Sequence, residues 1–365
     1  MSDSATDESR GPVPREPASR DGLTSGVTAM VAKEFRQMRR DRRTLALLIL
    51  MPVMMLIIFG YAARFDVTSV DTVVVGADAD RVGAGLPDLF DVVSTDAGGD
   101  RVSAEADLRD GRASAAVVTG GDGTLLLLDG ADLFVAQSVM AHVPPGMQPE
   151  VLFNPSLSTS AVMIPSLIGL ILLFVGTVIT SLGVVREREQ GTLEQLAVMP
   201  LRPVDVIVGK ITPYFLVSVL DMAVITIVGV TLFDVPFRGS VVMLIVFGLV
   251  YLIAVLGLGV AISTVSRSQG EAIQLAIMVL LPQVMLSGMI FPLESMAAGV
   301  RWIGYLLPLT YFSIGMRDIF LRGASLGALL VPLGALVAMA VVVLVVSVVR
   351  FRRELSTNRA RDGRR

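Results

Sequence analysis

The chain has 365 residues, 53% of them hydrophobic, with no cysteine, one histidine and a formal charge of −3 at pH 7. No disulfide framework, thiolate metal site or cysteine nucleophile is possible without cysteine, and the single His142 excludes a paired-histidine zinc motif. The apolar residues fall in blocks of ~20, the length of helix that crosses a ~30 Å hydrocarbon core, which excludes an ordinary soluble domain and predicts an integral membrane protein.

Residues 1–28 are rich in Ser, Asp, Pro and Gly without apolar periodicity and read as a disordered cytoplasmic tail. The polar leader ahead of the first apolar run argues against a cleavable signal peptide. Residues 29–43, AMVAKEFRQMRRDRR, set Met30, Phe35 and Met38 near one helical face among basic residues. That pattern predicts an amphipathic interfacial helix carrying Lys33, Glu34, Phe35 and Arg39, a plain positive flank being the alternative. Residues 44–63 form the first predicted span, with Pro52 inside it as a kink, because proline removes a backbone donor.

Residues 64–159 are polar and acidic. Short apolar runs at 72–75, 113–118 and 124–128 predict strands, and 104–111 and 132–142 predict helices, together a small α/β domain. His142, ahead of Val-Pro-Pro, reads as a surface histidine. Further spans are predicted over 161–185, 211–233, 240–263, 273–291 and 326–349, with a basic tail over 350–365. The charged stretch 186–210 separates two spans. The stretch 292–323 carries Trp302, Tyr305, Tyr311 and Phe312 among scattered charges and predicts helices that dip into the interface and return. The expected fold class is membrane all-α: six transmembrane helices with a small α/β extracytoplasmic domain between helices 1 and 2.

Charge sets the expected orientation, since cytoplasmic flanks collect Lys and Arg. Six basic residues precede the first span between 33 and 43, and seven arginines follow the last. Residues 64–159 instead carry five arginines against fifteen acids. Both termini and the 186–210 loop are thus expected in the cytoplasm, with the acidic domain outside.

Asp221 is the one acid well inside a predicted span, and an intramembrane carboxylate costs ~2.5–3.5 kcal/mol on insertion scales. It is either a functional group or a hydrogen-bonded acid that joins helices. Pro282 and Gly288 in the fifth span, and Gly257 and Gly259 in the fourth, allow close helix approach or a pathway. Neither of the two lysines, Lys33 and Lys210, stands in a phosphate-binding Gly-x4-Gly-Lys-Ser/Thr loop, and no Gly-x-Ser-x-Gly or HExxH occurs. The chain is therefore expected to bind no nucleotide, metal or other cofactor itself, to bind no nucleic acid and to catalyse nothing.

Several separated segments carry a resemblance: REREQGTLEQLAVMPLRPVDVIVGKITPY from residue 186, FNPSL (153–157), MLSGMIFPLESM (285–296), YLLPLTYF (305–312) and DLRDGRASAAVV (107–118). Over roughly 30–350 the chain resembles the ABC-2 type transporter permeases, in particular the subgroup of type V-like ABC exporters with an ectodomain between spans one and two. The resemblance implies a pathway formed with a second permease, identical or paralogous, and separate ATP-binding cassette ATPase subunits that bind ATP-Mg. It also implies that the loop after span two is a coupling helix in a groove of the ATPase. The residues implied in that contact are Arg186, Glu187, Arg188, Glu189, Gln190, Gly191, Thr192, Leu193, Glu194 and Leu196. The helix before span one would touch the same partner. Composition agrees: alternating acids and bases suit a polar partner, Gly191-Thr192 can break one helix and cap the next, and Leu193 and Leu196 supply apolar anchors. The expected function is ATP-driven export of a hydrophobic or amphiphilic compound, a drug, antibiotic or lipid, from a bacterial plasma membrane. A membrane scaffold with a partner-binding ectodomain is the alternative.

Overall fold

The computed structural model describes residues 67, 69–120, 123–190, 203–293 and 295–362, with only the backbone path described for 203–210 and 351–362. The tail predicted over 1–28, the interfacial helix over 29–43 with Lys33, Glu34, Phe35 and Arg39, and the span over 44–63 lie outside the described residues. So do Gly191, Thr192, Leu193, Glu194 and Leu196 of the expected coupling loop. Every described residue belongs to one compact unit, Val53–Arg365.

The first part is a five-stranded sheet: β1 (Val70–Val75), β2 (Phe90–Asp96), β3 (Ala115–Gly120), β4 (Gly123–Asp129) and β5 (Met147–Leu152), in the order β2-β1-β3-β4-β5. β3 and β4 form an antiparallel hairpin, and the other neighbours pair parallel. The three central strands read VDTVVV, AAVVTG and GTLLLLD. Such near-continuous apolar runs suit strands covered on both faces. On one face Val73, Val75, Ala116 and Leu127 meet Ala104 and Leu108 of α2 (Arg101–Arg109). On the other Val74, Val117, Leu126 and Leu128 meet Ala79 of α1 (Ala79–Gly83) and Val135 and Val139 of α3 (Leu133–Ala141). The two edge strands, β2 and β5, escape the sequence reading because polar residues interrupt their apolar ones, giving FDVVSTD and MQPEVL. β5 also contains Pro149, opposite Leu126, which an edge tolerates since its missing N–H needs no outer partner. α2 starts where its sequence says it should: Asp100 accepts from Ser103 N at 2.9 Å, and the Ser103 hydroxyl accepts from Asp100 N at 2.9 Å.

The second part is helical: α4 (Thr159–Glu189), α5 (Pro203–Leu232), α6 (Val241–Val265), α7 (Gln269–Leu286), α8 (Ala298–Gly304), α9 (Pro308–Arg317), a π-helical turn (Asp318–Arg322) and α10 (Leu326–Asp362). Among the described residues five helices (α4, α5, α6, α7 and α10) are long and apolar enough to cross a membrane. α7 runs through Pro282 and stops at Leu286, short of the 291 expected from hydropathy, because Gly288 takes φ +77°. An apolar run shows that a segment is buried, and a left-handed glycine decides where its helix ends.

Small residues let α4, α6 and α9 approach closely. A Cβ on Gly169 would lie 2.3 Å from the Phe312 ring, one on Gly315 would lie 2.2 Å from Phe247, and one on Gly259 would lie 2.8 Å from Thr180. Tyr251 of α6 is fully buried, stacks on Phe312 with centroids 4.1 Å apart, and donates to Gly169 O at 2.9 Å. Ser347 of α10 donates to Gly257 O at 2.9 Å. Gly169→Ala is expected to overpack this contact by ~1–3 kcal/mol, and Tyr251→Phe to cost ~0.5–1.5 kcal/mol. Thermal unfolding in detergent measures both. An unchanged midpoint for Gly169→Ala would mean that the α4–α9 contact is slack.

Candidate functional site

The polar end of α4 is the first candidate. Arg186, Glu189 and Gln190 are exposed there, while Glu187 and Arg188 are half-buried. Arg188 Nη1 donates to Ser266 O at the end of α6. The Glu189 carboxylate accepts from Gln269 N at 3.0 Å and from its side-chain amide at 2.6 Å, at the start of α7. That start is itself fixed: Ser268 Oγ accepts from Glu271 N at 3.3 Å, and Glu271 Oε2 accepts from Arg267 N at 2.6 Å. A side chain at each end of a helix N-terminus satisfies donors the helix leaves open. On the α5 side, a Cβ on Gly183 would lie 2.1 Å from the Tyr214 hydroxyl, so α5 leans directly on α4. The charges expected to face another protein thus also bind α4 to the α6–α7 loop within this chain.

The second cluster lies at the opposite end of the helices. Arg322 Nε donates to Asp129 Oδ2 at 2.7 Å, with Nη2 2.5 Å from the same oxygen, and Nη1 donates to Asp318 Oδ1. Asp129 is fully buried and Asp318 nearly so. The other Asp129 oxygen accepts from Ala131 N at 2.8 Å. Asp129 closes β4, and the chain turns after it at Gly130, where a Cβ would lie 2.7 Å from Leu152 O. Asp318 and Arg322 bracket the π-turn, a rare element that tends to mark functional positions. The turn also receives Arg238 N on Phe320 O at 3.0 Å and the edge of Phe237 on the Phe320 ring at 5.0 Å. Ser325 N donates to Asp110 Oδ1 at 3.1 Å. The ion cluster therefore joins the sheet domain, the α5–α6 connection and the turn before α10.

Burial pushes the Asp129 and Asp318 carboxyls up, and Arg322 offsets only part of it. Arg322 keeps its charge: burial opposes it, but the two carboxylates hold its proton more firmly than water does. Asp110 goes the other way. Burial raises it, but the Ser325 N–H and hydroxyl and Arg112 together hold it below the usual carboxylate range.

Nothing in the sequence pairs Asp129 with Arg322, 193 positions away; an i, i+4 Asp and Arg in an otherwise apolar stretch was the only available signal. The FNPSL segment is structural. Asn154 Nδ2 donates to Gly130 O at 3.2 Å and Ser158 O at 3.1 Å, while its Oδ1 accepts from Ser158 N at 3.0 Å. Phe153 and Leu157 sit at φ 64° and 48°, conformations costing ~1–2 kcal/mol per residue without glycine. In the YLLPLTYF segment Pro308 opens α9, and Thr310 and Tyr311 donate to Gly304 O and Tyr305 O. Asp221 is half-buried on α5 and has no hydrogen-bond or ion-pair partner among the described residues. His142 is exposed, its Nδ1 3.1 Å from Ser138 O. Among the described residues no group of three or more His, Cys, Asp or Glu could hold a metal.

Several known proteins are similar to this chain. Residues 42–349 match the family model described as ABC-2 family transporter protein. The chain is 27% identical over 370 residues to the probable multidrug ABC transporter permease YbhS of Escherichia coli, covering 90% of this chain and 97% of that one. It is 32% identical over 174 residues to the probable multidrug ABC transporter permease YbhR of the same organism, covering 48% and 47%. It is 29% identical over 178 residues to ABC transporter G family member 20 of Dictyostelium discoideum, covering 49% and 24%.

Truncating Arg322 strands two buried carboxylates, so Arg322→Met should destabilise the protein by ~3–5 kcal/mol, and adding Asp129→Asn and Asp318→Asn should recover most of that loss. A carboxyl raised by folding contributes stability that is full below its ordinary value, ~3.9, and is lost as pH rises through the raised value. Stability from this cluster should hence fall as pH climbs from acid toward neutral, and Asp318→Asn should flatten that slope in thermal unfolding. A slope identical in the wild type and Asp318→Asn would show the pair ionises as in water.

Proposed function

The chain belongs to the ABC-2 family of transporter proteins, a membrane subunit of an ABC transporter, and from that premise we propose how it works. It forms one half of a transmembrane pathway, completed by a second permease that is identical or paralogous. A separate ATP-binding cassette ATPase holds ATP-Mg and supplies the work. The pathway exports hydrophobic or amphiphilic compounds from a bacterial plasma membrane. Both termini stand in the cytoplasm and the sheet domain outside, as the arginine distribution favours.

The observation that carries this reading is the buckle at the end of α4. Arg188 holds the end of α6, and Glu189 holds the start of α7. Force applied to residues 186–196 would move three spans as one body, which is what an ATPase needs from its contact. Gly191, Thr192, Leu193, Glu194 and Leu196 complete that contact, and Lys33, Glu34, Phe35 and Arg39 form a second one beside it. An apolar groove of about 580 Å³ between α4 and α5, walled by Met163, Leu167, Ile171, Val224 and Val228, supports a hydrophobic cargo. Asp221 on α5, an intramembrane carboxylate, is the polar candidate for a role in transport.

In proteoliposomes holding the permease with its ATPase, Glu189→Ala, Arg188→Ala and Gly191→Pro should each lower substrate-stimulated ATP turnover several-fold while leaving basal turnover. Stimulated turnover that survives all three would sink the coupling assignment. Asp221→Asn should slow transport. Transport at the wild-type rate would remove Asp221 from the mechanism.

A further inference from the structure

Where the sheet domain meets the chain beyond α7, two adjoining cavities of about 210 and 250 Å³ share Asp71, Ser114, Asp132 and Pro292. Their walls are polar. The grooves along α5, by contrast, are lined almost wholly by aliphatic side chains. One wall of the larger crevice formed by the pair comes from the ends of β1 and β3 and the start of α3. The other comes from Gly288, Pro292 and α9.

The charges on the two walls are opposite, and among the described residues Arg317 and Asp71 stand in no salt bridge. Arg322 is committed to Asp129 and Asp318. Arg317, half-buried one turn earlier, makes only long contacts to carbonyls: Nη2 to Gly288 O at 3.3 Å and Nε to Ser313 O at 3.5 Å. Among the described residues no carboxylate pairs with it. Across the cavity Asp71 is exposed, and its carboxylate accepts no hydrogen bond from any described residue; only its backbone carbonyl is used, by Ser114 N at 2.9 Å. Asp132 beside it accepts from the Ser114 hydroxyl at 3.3 Å. Asp318, its neighbour along the chain, acts on Arg317 only through space, so a bound anion would add the direct charge-assisted hydrogen bonds that the carbonyl contacts do not supply. Arg317 and Asp71 line the same cavity without reaching each other. They complement a molecule that carries both charges.

The setting supplies the rest. α8, whose Arg301 lines the second cavity, exposes Trp302, and the turn after it exposes Tyr305 and Leu306. Tryptophan and tyrosine with apolar neighbours are what a membrane boundary favours. A group entering this crevice from the bilayer would keep its hydrocarbon outside and bring only its polar end in.

We propose that this crevice receives the polar end of a zwitterionic amphiphile, its phosphate or carboxylate on Arg317 and its ammonium on Asp71. The assignment extends the amphiphile reading above to one headgroup class. It is tested by binding alone, without ATPase or transport, so it can fail while that reading stands.

The probes are dihexanoyl phosphatidylethanolamine, dihexanoyl phosphatidylglycerol and free phosphoethanolamine, added to the full-length protein purified in a nonionic detergent, with binding followed by thermophoresis. The ethanolamine lipid should bind about tenfold more tightly than the glycerol lipid, the size of one charge-assisted hydrogen bond. Asp71→Asn should erase that preference without touching the glycerol lipid, and Arg317→Gln should weaken both. Asp71 is exposed, so its variant is expected to keep the wild-type unfolding midpoint, which separates lost binding from lost folding. Free phosphoethanolamine should bind much more weakly than the lipid; binding equal to the lipid would overturn the amphiphile in favour of a soluble zwitterion. Failure of both zwitterions to saturate the protein, or an ethanolamine preference intact in Asp71→Asn, would overturn it.

Discussion

One guanidinium holds the sheet domain to the helices. Arg322 lies between Asp129 at the end of β4 and Asp318 at the start of the π-turn, and all three are largely out of water. A buried ion cluster of this kind is weak evidence for stability, because desolvation consumes most of the attraction. What it does supply is register. The guanidinium can satisfy both carboxylates only when β4 and the turn before α10 stand at one distance and angle. The neighbouring contacts follow from that placement: Ser325 on Asp110, Arg238 on Phe320, and the crevice whose opposite walls carry Asp71 and Arg317.

The helices between the two ends are closely packed. Glycines at 169, 259 and 315 bring backbones and rings so close that an added methyl would collide. Close-packed interiors shift between discrete arrangements and deform little within one. At the far end Arg188 and Glu189 tie α4 to the α6–α7 loop. α7 then runs from that loop to Leu286, two residues before Gly288, whose carbonyl accepts from Arg317 in the crevice wall. The polar end of α4 and the crevice wall are thus the two ends of one helix, α7, with hydrogen bonds at each.

How far the sequence reached depended on how local each determinant is. Hydropathy located the long apolar helices, because burial in hydrocarbon is a property of ~20 consecutive residues and needs no partner. The central strands were legible for the same reason: VDTVVV and TLLLL announce burial by themselves. The edge strands were not, since FDVVSTD and MQPEVL become strands only by pairing with an existing sheet. The end of α7 was placed five residues too late, because a hydropathy window cannot register that Gly288 turns to positive φ.

The family motifs were legible as text while their roles were not. FNPSL turned out to be the turn that seats α4 on Gly130, and YLLPLTYF the segment that lays Phe312 on Tyr251. The sequence by itself determined a membrane protein with several apolar helices, a small α/β domain and membership in a transporter family, because composition, periodicity and motif order are properties of the chain alone. Only the tertiary structure decided which charges meet: that Glu189 faces Gln269, that Arg322 is shared by Asp129 and Asp318, and that Arg317 and Asp71 are left facing a cavity. Side-chain ions act over a few ångströms of space, and their distance along the chain leaves no trace of whom they meet.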